Sequence, residues 1–281
     1  MIGRLQSHGL NLSIDFSAGR SLAITLDPDG PQPSFFAGKR ARTSPLRVGD
    51  YIGDVSLGGS CNADVLEFIP HCHGTHTECW AHLDKSAGHV LDIIDQQPCL
   101  ARLITLQGTP ACDNGENKTI LTLEELLRAL GHGQTGHPKP LTGDALIIRT
   151  LPNPVEKMCR DYALEPSYPV LSAAAIDWLA SQELKHLLLD TPSLDRANDG
   201  GKLSNHRCWW GLNPISSVTS VDPKKRSVTE MIYVPDDLKD AHYWLHLELQ
   251  PLASDATSSR PVIYPIKFDD AENSPANENL K

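Results

Sequence analysis

The chain has 281 residues, 40% of them hydrophobic and 21% charged, which is enough to bury a full core in one large domain or two small ones. A formal net charge of −10 argues against a nucleic-acid partner, which requires a basic patch. The same negative field offers nothing to an anionic membrane surface, and no apolar run reaches the roughly 18 residues of a membrane span.

The first ten residues contain neither a long apolar run nor a small-residue cleavage site, so no signal peptide is expected. The seven cysteines are scattered and form no Cys-x-x-Cys pair. They read as reduced thiols of a cytoplasmic protein, not as a cysteine-only zinc site. Residues 22–26, apolar and β-branched, predict the first strand. Phe35 and Phe36 follow a Pro-rich entry. A dense histidine segment occupies residues 71–82, and a strand is predicted next over 100–106. Residues 113–117 and 131–140, rich in Gly, Asn and Pro, predict loops. Between them Thr122 caps a helix over 122–130 that ends at Gly131. Residues 145–150 predict a strand, and Ser172 caps a second helix over 172–180. Alternation predicts further strands over 228–234 and 243–249. Residues 260–267 predict a last strand, its prolines placing it near an edge. The polar segment 269–281 predicts a frayed tail after one domain over 1–268. Strands outnumber helices without strict βαβ alternation, which predicts an α/β or α+β domain.

Four of the twelve histidines lie between positions 71 and 82, among Cys and Glu residues that also ligate divalent ions. In an extended segment alternate residues share a face, so Cys72, His76, Glu78 and His82 converge on one side. His71 and His73 then face the other side unless Gly74 bends the chain. Thr75 is placed to hydrogen-bond a ligand side chain. His132 and His137 read as solvated loop residues, and His242 and His246 as structural.

The segment Cys72-His73-Gly74-Thr75-His76-Thr77-Glu78-Cys79-Trp80-Ala81-His82 resembles the His-x-Gly-Thr-His-x-Asp-x-Pro-x-His pattern of the bacterial cyclase-like metal-dependent hydrolases, a family that includes kynurenine formamidase. Further pieces follow in the family's order. They are the Gly-Asp strand from Gly143, the Asp-Thr-Pro-Ser segment from Asp190, then Asn205-His206 and Thr229-Glu230. The resemblance implies a swivelling β/β/α fold, assembled as a homodimer or larger. It implies a divalent metal, zinc or alternatively manganese, as one or two ions. It assigns His76 and position 72 to one metal, Glu78 and Glu230 to bridging or sharing, and His206 to a second. His82 becomes the general acid/base. The implied activity is hydrolysis of a C–N bond in an amide or formamide, as in an arylformamidase of tryptophan catabolism. A cyclic amide or lactone is the alternative substrate, and a non-catalytic small-molecule binder the alternative role. Phe35, Phe36 and Trp80 become candidate substrate walls. Three departures mark a divergent branch: Cys72 for His, with His71 or His73 able to compensate, Glu78 for Asp, and Trp80 for Pro.

Overall fold

The computed structural model describes residues 1–36, 39–95, 97–113, 116–131, 141–164, 167–212 and 219–269. Its centre is one ten-stranded sheet. The strands are β1 (Ile2–Ser7), β2 (Leu10–Asp15), β3 (Arg20–Ser21), β4 (His76–Cys79), β5 (Cys99–Leu106), β6 (Ala145–Thr150), β7 (His186–Leu189), β8 (Ser227–Glu230), β9 (His242–Leu249) and β10 (Ala256–Phe268). The order β10-β9-β5-β6-β7-β8-β4 returns to β10, because β10 also pairs with β4. Seven strands therefore close into a barrel. Neighbours from β5 through β8 run parallel, and the remaining contacts of the barrel are antiparallel.

The side-chain period of two explains the layers. On β6, Ala145 and Ile147 join the cluster with Leu103, Leu188, Leu245 and Ile263 that fills the barrel. Leu146 and Ile148 point outward, into a second cluster beneath three helices. Both faces are buried, which is why β6 reads as a continuous apolar run instead of an alternating one. Of the four α-helices among the described residues, α1 (Val90–Ile93), α2 (Leu123–Ala129), α3 (Ala173–Ala180) and α4 (Ser204–Trp209), the last three contribute to that outer core. Thr122 and Ser172 cap α2 and α3 through their hydroxyls, as their sequences predict.

Several expectations are corrected. Residues 22–26 form only an isolated bridge at Ala23, because Thr75 takes up the Ile24 amide. The strand expected over 228–234 ends at Glu230, where Met231 adopts a positive φ of 53°. Residues 113–117 are not simply loop: Thr109–Asp113 and Glu116–Leu121 pair as an antiparallel hairpin. β10 is not an edge strand. Its second side is divided among β4 at 256–258, β3 at 262–263 and β2 at 266–268. Pro261 and Pro265, which have no N–H to donate, fall in the gaps between those partners. The predicted solvated pair His132 and His137 and most of the expected tail lie outside the described residues. Among the described residues no helix is long and apolar enough to cross a membrane.

Two buried polar groups support the strands around the site. Lys157 donates to the Thr150 carbonyl and hydroxyl and to Asp190 Oδ2 at 2.7, 2.9 and 2.9 Å, tying β6 to β7. Replacing Lys157 by Met leaves the fully buried Asp190 carboxylate without its cation. That change should destabilise the fold by about 3–5 kcal/mol in urea unfolding. His186, on β7, bonds Ser227 Oγ at 2.8 Å and is held neutral by burial, its pKa lowered to about 4 from 6.5. The unfolded chain binds the extra proton, so stability is full above 6.5 and is lost as the pH falls toward 4. The urea midpoint of His186→Gln should decline less over that window than that of the wild-type protein.

Candidate metal centre

β4 runs beside β8 with His76 opposite Glu230 and Glu78 opposite Val228. Gly74, at a φ of +79°, turns the chain into β4, a conformation that favours glycine. Its carbonyl lies 3.1 Å from His76 Nδ1. A carbonyl only accepts, so Nδ1 carries the proton and Nε2 presents a lone pair. That Nε2 is buried, has no hydrogen-bond partner among the described residues and lies 3.3 Å from Glu230 Oε2. A lone pair facing a carboxylate in a dry interior is repulsive unless a cation sits between them.

His206 repeats the arrangement from the other side. It sits on α4, whose first amides receive no cap from Leu203. Asp195 supplies the cap instead, accepting the Asn205 and His206 amides at 2.8 and 3.0 Å. The same carboxylate accepts from His206 Nδ1 at 2.7 Å, which aims Nε2 at Glu78 Oε1, 2.7 Å away, and Glu230 Oε1, 3.4 Å away. The Leu194 amide fixes Glu230 Oε1 at 2.7 Å. The Trp210 ring packs against the His206 imidazole at 5.4 Å.

Glu78 is 1% exposed and joins the two halves. Its Oε1 faces His206, and its Oε2 lies 3.0 Å from His71 Nδ1 and 3.9 Å from His82 Nδ1. Two donor groups result, each with atoms within 4.8 Å of one another: His71, His76 and Glu78, and Glu78, His206 and Glu230. Asp255 forms a third group with His71 and His82. Burial pushes the Glu78 carboxyl up, but the charges of His206 and His82 hold it well below its usual range. Burial also opposes charge on His206, and Glu78 and Asp195 raise it well above its usual value. His71 is raised to about 10, because hydrogen bonds to Asp255 and Glu78 outweigh its burial. A set of imidazole nitrogens and carboxylate oxygens this negative and this dry suits a divalent cation, and the orphaned His76 Nε2 fits it specifically.

The structure thus brings together His76, Glu78, His206 and Glu230, with His82 at the rim. It does not bring Cys72 into any of these groups. Pro70–Cys72 is a 3₁₀ turn, so the alternation expected of an extended chain fails there and His71 takes the inward place. His73 spends both ring nitrogens on backbone, with the Ile69 amide at 2.9 Å and the Lys39 carbonyl at 2.7 Å. Thr75 bonds backbone and none of these donor side chains; its hydroxyl accepts from the Ile24 amide and donates to the Met231 carbonyl, stitching β4 to the end of β8. Trp80 is 5% exposed and packs in the helix-side core, with the Lys224 ammonium 5.0 Å above its ring. Phe35 is buried against Tyr168 and Met231, beside Glu230, whereas Phe36 is 51% exposed. Asp195 and Asp255 have no place in the ligand pattern of the sequence. Asp195 closes the Asp-Thr-Pro-Ser segment, a signal that was present, while Asp255 stands alone in a polar loop and gives none.

The cyclase family model, described as "Putative cyclase", matches residues 11–196. The comparison with curated proteins returns no match. Among solved structures, an isatin hydrolase bound to the product analogue thioisatinate superposes with a TM-score of 0.57 at 17% identity, covering 89% of this chain and 92% of its own. Isatin hydrolase A from Labrenzia aggregata, bound to benzyl benzoate, gives 0.56 at 16% identity, covering 88% and 93%. A "predicted metal-dependent hydrolase" from Bacillus stearothermophilus gives 0.55 at 13% identity, covering 88% and 97%. At these identities the structures show a shared fold. The family model spans about two thirds of the sequence, and the chain belongs to the cyclase family.

Proposed function

We propose that this chain is a metal-dependent hydrolase that cleaves the C–N bond of a small amide. The observation that carries the reading is the buried, unpartnered His76 Nε2 facing Glu230, inside two donor groups that share Glu78. His71, His76 and Glu78 would hold one ion, and Glu78, His206 and Glu230 a second. A divalent ion, zinc or manganese, supplies a positive charge that acidifies water and polarises a carbonyl.

The protein's own residues supply the rest. Asp195 fixes the His206 tautomer and orients it. Thr75 and Thr77, the latter 2.8 Å from the Thr229 hydroxyl, hold β4 and β8 in register. His82 is half-buried, and its Nδ1 faces the Asp255 carboxylate at 3.2 Å. A carboxylate only accepts, so Nδ1 donates and Nε2 is left to take a proton and return it to the leaving nitrogen.

The isatin hydrolase likeness supports a cyclic amide as substrate. The resemblance at residues 72–82 supports a formamide such as N-formylkynurenine. A panel holding isatin, N-formylkynurenine and an aryl lactone separates these; turnover of none of them by metal-loaded protein would favour a binding protein. Elemental analysis of Glu230→Gln should show bound ion lost with the fold intact. A variant with full metal content and full turnover would remove Glu230 from the site. His82→Ala should keep its ion and lose roughly 10²–10⁴-fold in turnover, measured at saturating metal.

A further inference from the structure

The position that the family resemblance gives to a histidine is Cys72, which joins none of the donor groups among the described residues. His71 stands in its place, and something must turn that ring inward from a different backbone position. Asp255 Oδ2 lies 2.9 Å from His71 Nε2 and 3.2 Å from His82 Nδ1. A carboxylate has only lone pairs to offer, so both nitrogens donate to it. This single oxygen therefore settles two tautomers. His71 is left with Nδ1 toward Glu78 Oε2 at 3.0 Å, and His82 with Nε2 free. The two rings lie 4.4 Å apart, tilted by 39°.

Asp255 is itself anchored. Its carbonyl accepts from the Cys79 amide at 3.1 Å and from Cys79 Sγ at 3.3 Å, and Ser254 Oγ donates to its Oδ1 at 3.1 Å. The next residue, Ala256, pairs with Glu78 across β10 and β4. The carboxylate is thus fixed relative to the strand that carries His76 and Glu78. A separate ion held by His71, His82 and Asp255 would require His71 to ligate through both ring nitrogens and give up both ring protons. The hydrogen-bonded arrangement needs neither.

We infer that Asp255 is the positioning residue of this centre, whose one carboxylate oxygen aims His71 into the ligand place left by Cys72 and fixes His82 beside it. The inference rests on the metal-centre reading above.

The test is competition titration of the full chain with Co²⁺ against a chelator, with thermal unfolding of each variant as a fold check. Asp255→Asn should weaken Co²⁺ binding by roughly 10- to 100-fold, as removal of a ligand's hydrogen-bond partner does. Asp255→Glu should recover part of the loss. Cys72→Ala should change affinity by less than about two-fold, the scatter expected of an uncoupled site. Asp255→Asn should add little in a His71→Ala background, because it acts through that ring. Unchanged affinity in Asp255→Asn overturns the inference, as does a full additional loss in the double variant. If Asp255→Asn does not fold, Cys72→Ala and His71→Ala still decide: equal losses overturn it, and loss confined to His71→Ala supports it. A chain that shows this pattern yet hydrolyses nothing supports the positioning role and sinks the proposed reaction. A wild-type chain that binds no Co²⁺ overturns both.

Discussion

A carboxylate that is 1% exposed is the constraint around which the rest of this molecule is arranged. Glu78 cannot stay ionised in such a place without positive partners on both oxygens. An imidazole nitrogen faces each oxygen, His206 on one side and His71 on the other, so a cation shared with those nitrogens would supply the charge. Those partners come from distant segments, a short helix and a turn that precedes β4. The closed barrel brings them together, because β4 lies between β8 and β10 and each neighbour delivers a group to it. β8 delivers Glu230, and the residue before β10 is Asp255.

Each imidazole of the centre has one nitrogen occupied by an outer acceptor. His76 uses the Gly74 carbonyl, His206 the Asp195 carboxylate, and His71 and His82 share Asp255. The outer acceptors decide which nitrogen faces inward, so the residues around the proposed ligands carry as much of the design as those side chains do. Asp195 does this while also satisfying the first amides of α4, so folding that helix and aiming His206 are one event. Asp190, at the other end of the same motif, has a different duty: it neutralises buried Lys157 and ties strand ends together.

The strand-rich architecture and four of the gathered residues were legible in the sequence. Leu146 to Ile148, Thr122 and Ser172 reported faces and caps faithfully, since local periodicity and local hydrogen bonds produced them. His76, Glu78, His206 and Glu230 were legible through ordered motifs. Cys72 misled because parity assumes an extended chain, and the 3₁₀ turn at Pro70 rotates the next residues by a different step. Trp80 misled because an aromatic beside a site reads the same whether it walls a substrate or fills a core; only the packing beneath α3 and α4 decides. Pro261 and Pro265 misled because an edge and a gap between two partner strands look alike from one sequence. Asp255 was invisible, since its importance comes from a side-chain hydrogen bond to His82 across 173 positions, brought about by the pairing of β10 with β4.

The way β10 divides its second side among three partners has a consequence for the order in which the molecule is made. A ribosome delivers β4 long before either strand that flanks it; Thr77 waits for Thr229, 152 residues later. Until then β4 is an open edge with His76 and Glu78 uncovered. Arrival of β10 covers that edge, closes the ring of strands and docks the β1–β2 hairpin, all through one continuous segment. Nascent chains stalled before residue 256 therefore hold every proposed ligand of the centre yet lack the strand that seals it, and their open edge invites unintended pairing.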